Sequence, residues 1–341
     1  MPEGHTLHRL AQALDAAFAG THPVATSPQG RFSDGAAVLS GRRVVAASAW
    51  GKHLFVEFEG EQWLNVHLGL IGRFSVEGYA PYAGGPPVWG QVRLRLLTAD
   101  HVADLRGATV CQVVTPEEAE AIVARLGPDP LQAQQDPDRA WARIARSGRP
   151  VGELLMDQSI LAGVGNVYRC EVLYRHRVDP FRPGTEIRRK TWQAIWSDLV
   201  DLMALGVTFN QILTMQDQVD EAKVLVADGE VPTLTSVYTD SARRAGSGPA
   251  GVVAVRDQHV DEEGEDGEEG EDGEDGEEGD SGGDDGRGDD AEPDAGGAGL
   301  ERRYYVYRRQ GEPCRVCASK VRTRLVAGRN LFWCGRCQRR R

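Results

Sequence analysis

The chain has 341 residues, 40% of them apolar, which is enough for two or three domains with buried cores. No apolar run approaches the roughly 18 residues of a membrane span, and the N-terminus lacks the basic-then-apolar order of a secretion signal, so an intracellular protein with no membrane partner is expected. The formal net charge of −12 argues against a nucleic-acid partner only until its distribution is read: residues 257–294 hold 21 acids and one arginine, and the rest of the chain is +8.

The chain opens "MPEGHTLHRL". Pro2 suits a first helical turn, because its fixed φ and missing N–H are harmless there. Once Met1 is removed, it is also a terminal secondary amine, a group that titrates near neutrality and acts as a nucleophile. Residues 5–20 place Leu7, Leu10, Ala11, Leu14, Ala17 and Phe18 on one face, which predicts an amphipathic helix closed by Gly20. His5 and His8 share that helix, but two histidines without a third ligand do not make a metal site. The short runs "RVVAAS", "HLFVEFE", "WLNVHL", "QVRLRLL" and "GATVCQVV" then predict an antiparallel sandwich or barrel to about residue 114.

From residue 116 the pattern turns helical, through "EEAEAIVARL", "RAWARIARS", "VGELLMDQ", "VYRCEVLYRHR" and "KTWQAIWSDLVDLMALG". Residues 241–299, dominated by Gly, Asp and Glu, have few groups to bury and are expected to be a disordered insert. Their simplest role is a solvated linker; a sharper one is a mobile mimic of DNA that competes for the basic tail. Structure is expected to resume at "RRYYVYRR", in a segment (301–341) with 13 Lys or Arg against two Glu.

Six cysteines divide unequally. Cys111 and Cys170 stand singly in apolar stretches and read as buried, inert thiols. Cys314, Cys317, Cys334 and Cys337 form two CxxC knuckles, the spacing of one tetrahedral structural Zn²⁺ with no open coordination position. The alternating residues between the knuckles suit a β-hairpin, on which Arg322, Arg324 and Arg329 are candidate phosphate contacts.

Taken in order, "PEG" at position 2, "GKHLF" at 51–55, "HLGLIGRF" at 67–74, "LLMDQSILAGVGNVYRCEVL" at 154–173 and "YRRQGEPCRVC" before the second knuckle resemble the formamidopyrimidine-DNA glycosylase and endonuclease VIII family. The resemblance implies an α+β multidomain protein: an N-terminal helix and β-sandwich (1–130), a helix-two-turn-helix domain (131–240), the acidic insert (241–299) and a zinc finger (300–341). It also implies a monomeric, nucleoid-associated DNA-repair enzyme of the cytoplasm that excises oxidised bases from damaged DNA and cuts the backbone. Pro2 would attack C1′, and Glu3, on its own a helix-start acid, would be the general acid/base. Lys52, on its own a turn lysine, would be the third catalytic residue, contacting a DNA phosphate beside the lesion and serving as a proton donor. Asn166, on its own an N-cap, and Arg329 would hold the flanking phosphates. A flipped base leaves a gap, which Leu70 on a hairpin tip, or Ile71 beside it, would fill. In "ADLRGATV" Arg106 remains, as a DNA-binding residue, where the purine-directed branch carries two arginines and an aromatic, and the loss of the others favours oxidised pyrimidines. A purine-directed enzyme and a catalytically silent DNA-binding relative are the alternatives.

Overall fold

The computed structural model describes residues 2–79, 86–232 and 301–339; the acidic insert expected at 241–299 lies outside them. Helix α1 (Gly4–Phe18) follows the predicted apolar stripe, burying Leu7, Leu10, Leu14 and Phe18. It stops where Gly20 takes a φ of 80°, a conformation that favours glycine. The helix lies on a pair of antiparallel four-stranded sheets. One is built from β1 (Val24–Thr26), β5 (Arg73–Gly78), β6 (Leu94–Leu97) and β7 (His101–Arg106), in the order β1-β6-β7-β5. The other contains β2 (Val44–Trp50), β3 (His53–Phe58), β4 (Gln62–His67) and β8 (Val110–Val114), in that order. Leu54, Val56, Phe58, Leu64, Val66, Phe74, Leu94, Leu96 and Leu105 from both sheets share one core with the helix. Each such side chain contributes about 1.5–3 kcal/mol by leaving water.

Strands β5 and β7 have no counterpart among the runs that the sequence pattern predicts. In β7 the buried Asp104 breaks the apolar signature, and it is tolerated because Arg95 bonds it through two nitrogens at 2.7 and 2.8 Å. A short helix, α2 (Ser33–Leu39), likewise carries no clear signal in sequence.

Beyond the sheets, α3 (Pro116–Ala124) begins with a capping box between Thr115 and Glu118, and α4 (Pro137–Ile144) is capped by the Asp136 carboxylate. The run "VGELLMDQ" forms only one turn, α5 (Val151–Leu154). Asp157 ends it locally, accepting from the Ser159 N–H and hydroxyl at 3.1 and 2.7 Å. Helix α6 (Asn166–Arg175) is buried along nearly all its length, and α7 (Arg189–Phe209) ends at Asn210 in the left-handed conformation. Helix α8 (Gln216–Ala227) extends the helical segment beyond the last run that the sequence pattern marks as helical.

Strands β9 (Arg322–Val326) and β10 (Arg329–Trp333) make the expected hairpin. Its two turn residues, Ala327 and Gly328, both have positive φ, as a tight right-twisted hairpin demands. Leu331 and Phe332 of β10 enter the same core as Val172, Leu173 and Tyr174 of α6, so the finger is packed on the helical segment.

Candidate active site

Three chain segments distant in sequence meet at the N-terminus of α6. The N-cap there is Gly165, not Asn166, and it offers no side chain to the exposed backbone donors. Glu3 supplies the missing acceptor from the start of α1. Its carboxylate receives the N–H groups of Val167 at 2.7 Å, Gly165 at 2.8 Å and Tyr168 at 3.4 Å. A Cβ at Gly165 would stand 2.3 Å from the Glu3 carboxyl carbon, so a glycine is required at this approach. Gly4 is held just as closely, its N–H donating to the Gly163 carbonyl at 2.8 Å. The placement of Pro2 follows, one residue from a carboxylate locked onto a neighbouring helix.

Glu3 is fully buried, and burial pushes its carboxyl above the usual 4.5; the positive charge of Lys52 and the three backbone N–H groups oppose that rise. Lys52 shows the converse. Burial pulls its ammonium below the usual 10.5, Glu3 opposes the fall, and Arg329 and Arg169 reinforce it. The lysine sits in the β2–β3 turn behind Gly51, which has a φ of 57°. That turn is anchored by Asp129, a buried residue that sequence reasoning missed. Its carboxylate accepts from the Gly51 N–H at 2.7 Å, from Leu131 N–H at 2.9 Å, and pairs with His8 of α1 at 2.9 Å. One carboxylate thereby ties the Lys52 turn to the helix that carries Glu3.

Asn166 occupies the first turn of α6 and bridges to the finger. Its side-chain nitrogen donates to the Asn330 carbonyl at 2.9 Å, while its oxygen accepts from Arg169 one turn further on. Arg169, also missed, is fully buried and donates in addition to the Gly152 carbonyl at 3.1 Å. Asn330 neighbours Arg329, which opens β10. Pro2, Glu3, Lys52, Asn166 and Arg329 are therefore gathered around one helix terminus.

Leu70 and Arg106 belong to a different part of the molecule. Leu70 and Ile71 lie not at a hairpin tip but in the connection from β4 to β5, which crosses from one sheet to the other. Ile71 is the more exposed of the two, 81% against 44%. Arg106 ends β7 with its guanidinium on Asp104 at 2.9 Å and on the Trp89 carbonyl at 3.1 Å.

The four cysteine sulfurs lie within 4.8 Å of one another, with Cys314 and Cys337 3.9 Å apart and Cys317 and Cys334 3.4 Å apart. Tetrahedral zinc with Zn–S bonds near 2.3 Å requires sulfurs about 3.8 Å apart, so the cluster fits one structural ion. Among the described residues no other histidine, cysteine or carboxylate cluster could hold a metal. Cys170 is buried, accepts from the Phe332 N–H at 3.4 Å, and has its thiol pushed up to about 12, as expected of an inert packing group. Cys111 behaves alike, also raised to about 12.

A two-sheet domain, a helical segment and a four-cysteine finger joined at one helix terminus define the scaffold class of the formamidopyrimidine-type glycosylases. Residues 1–111 match the model of the formamidopyrimidine-DNA glycosylase N-terminal domain, 126–217 that of the formamidopyrimidine-DNA glycosylase H2TH domain, and 311–340 that of the zinc finger found in FPG and IleRS. The protein named Endonuclease 8 1 of Mycobacterium tuberculosis is 41% identical over 339 residues, covering 99% of this chain and 100% of that one. The formamidopyrimidine-DNA glycosylase of Thermus thermophilus is 25% identical over 303 residues, 89% of this chain and 85% of that protein. Among solved structures, Lactococcus lactis Fpg (MutM) in complex with N7-benzyl-Fapy-dG containing DNA superposes with a TM-score of 0.65 at 15% identity, covering 99% of this chain and 100% of that chain. The chain belongs to the formamidopyrimidine-DNA glycosylase and endonuclease 8 family.

Proposed function

We propose that this protein is a base-excision DNA glycosylase that removes oxidised bases, pyrimidines in preference, and then cleaves the DNA as a lyase through the amine of Pro2. The observation that carries this reading is the Glu3 carboxylate, fully buried at the α6 N-terminus one residue from Pro2 and beside Lys52. Family membership and the fold shared with the solved glycosylase support it.

With Met1 removed, the neutral Pro2 nitrogen attacks C1′ of a flipped nucleoside. The bond from C1′ to the base breaks, and the base departs with its electron pair and takes up the proton that the Pro2 nitrogen sheds on becoming bonded to C1′. Glu3, whose raised carboxyl holds a proton closer to neutrality, gives it to the sugar ring oxygen, assisting base release as well as the ring opening that follows. The product is a cationic iminium, because a secondary amine has no further proton to lose from nitrogen. That cation acidifies C2′, and loss of a C2′ proton expels the 3′ phosphate by β-elimination; δ-elimination then releases the 5′ phosphate. Asn166 and Arg329 hold the phosphates on either side of the damaged nucleotide, and Lys52 contacts a phosphate near the lesion and serves as a proton donor. Zinc holds the finger hairpin in shape when bound and takes no part in bond making. We further assign the substrate as duplex DNA and the working species as a monomer.

Borohydride reduction of the protein mixed with duplexes carrying an oxidised pyrimidine or an oxidised purine tests this. A covalent adduct is expected, in higher yield with the pyrimidine. An adduct formed equally well by protein with an uncleaved N-terminal extension would overturn the role of Pro2.

A further inference from the structure

The finger carries a second basic concavity, at the opposite end of the hairpin from Arg329. Ser319, Lys320, Arg322, Gly335, Arg336 and Arg339 line a cavity of about 310 Å³ that contains four cations and no acid. The two finger acids among the described residues are engaged elsewhere, Glu312 with Arg309 at 2.8 Å and Glu301 with Arg303 at 3.7 Å. None of the four cations has a carboxylate partner among the described residues. Like charges gathered without a counter-charge repel one another, so the arrangement is favourable only once an anion enters.

Gly335 shows how the cavity is shaped. It stands inside the second CxxC knuckle with an ordinary backbone conformation, so no strain demands a glycine there. A Cβ at this position would instead meet the Arg322 guanidinium, at 3.0 Å from Cζ and 3.1 Å from Nε and Nη1. The missing side chain leaves room for that guanidinium against the knuckle, in the cavity that Arg336 and Lys320 also line. Three guanidinium forks and one ammonium on exposed side chains line the cavity, a donor set that suits the tetrahedral oxygens of a phosphate.

The register places this pocket relative to the lesion site. Arg322 pairs with Trp333, four residues along β10 from Arg329, which is about 13 Å of strand. A hairpin laid along the duplex axis, where each strand carries a phosphate about every 3.4 Å, would make that span about four base pairs. We infer that the knuckle cavity is a second phosphate-binding site, which takes a phosphodiester of undamaged duplex remote from the phosphates flanking the lesion. The inference rests on the DNA-binding reading above. The pocket would supply grip without sequence or damage information, steadying the finger while the other end of the hairpin engages the lesion.

The test uses the full-length, zinc-loaded protein, the double variant Lys320→Gln/Arg336→Gln, and Gly335→Ala, which displaces Arg322 while adding one methyl. Affinity for duplexes of two lengths, each centred on an uncleavable abasic-site analogue, is measured across a salt series, together with zinc content and the borohydride-trapped yield at saturating cleavable lesion DNA. On a long duplex the double variant should lower the slope of log K against log salt by about 1, the value for one lost phosphate contact, and Gly335→Ala by less. On a duplex reaching only two base pairs either side of the lesion, variants and parent should bind alike. Trapped yield at saturation should be unchanged. Equal slopes for all three proteins on the long duplex would overturn the pocket, and so would a deficit that persists on the short one. Failure of the parent protein to bind DNA at all would instead overturn the reading on which the pocket rests.

Discussion

Two buried glutamates in this molecule have nearly the same surroundings and different uses. Glu3 accepts three backbone N–H groups at the start of α6. Glu171, midway along that helix, accepts the N–H groups of Tyr305 at 2.8 Å, Val306 at 2.9 Å and Tyr307 at 2.9 Å, and the Thr214 hydroxyl at 2.8 Å. Both are fully buried, and burial raises both carboxyls above the usual 4.5. The difference lies one layer out. Lys52 opposes the rise at Glu3, whereas only hydrogen bonds oppose it at Glu171. Glu171 is a clasp that seats the segment leading into the finger; Glu3 has the same grip but also a cation and Pro2 beside it. Burial and a raised pKa therefore do not by themselves mark a reactive carboxyl.

The comparison breaks most visibly if the two are exchanged for neutral residues. Glu3→Gln keeps acceptor capacity at one oxygen and should lower single-turnover base release by about 10²–10⁴-fold, the usual worth of a positioned acid or base. Glu171→Ala leaves four buried donors without an acceptor and should cost about 3–5 kcal/mol in denaturant unfolding, with the activity per folded molecule largely retained. A stability loss at Glu3→Gln equal to that at Glu171→Ala, with base release intact, would make both residues clasps.

A gentler perturbation acts on position alone. Gly165→Ala would force the Glu3 carboxyl carbon away from a Cβ now 2.3 Å distant, and turnover should fall by up to about 100-fold, the scale of a 1 Å misplacement. Unchanged kinetics would show that the locked geometry is dispensable. The smallest expected effect is electrostatic. Lys52→Met removes the charge that holds the Glu3 carboxyl down, so Glu3 should titrate higher while Glu171 stays put, as read from ¹³C carboxyl shifts. A carboxyl raised on folding adds stability that is complete below the unfolded value near 4.5 and is lost as pH climbs through the folded pKa. The Lys52→Met protein should accordingly retain this contribution to higher pH than the parent.

Features that depend on near neighbours in sequence were legible in advance. The apolar stripe of α1, the strands β2, β3 and β4, and the four cysteines with their hairpin emerge where spacing alone predicts them. Pro2, Glu3, Lys52, Asn166 and Arg329 are singled out by resemblance, since no local spacing links them. What the sequence hid are partnerships across long separations. Asp129 meets Gly51 78 residues away and His8 121 away, and in sequence it sits in "GPDP", which signals only a turn. Glu171 reaches residues 134 to 136 positions onward, so no local pattern could distinguish it from a surface acid of α6. The same holds for Asn166, whose expected capping of its own helix is taken over by Glu3 from the start of the chain. A cap supplied from another segment leaves no trace in the turn it serves.

The connection that carries Leu70 and Ile71 has a mechanical consequence. Loops joining two strands of one sheet are cantilevers, able to rock with a single hairpin. This one is fixed at both ends to different sheets, with Leu68 buried in the core, the Gly72 N–H bonded to the Leu68 carbonyl at 3.1 Å, and the Gly69 backbone against the Thr109 side chain. A force on the exposed Ile71 is divided between two layers that can yield only by sliding past each other. The connection is thus a strut tied into both layers.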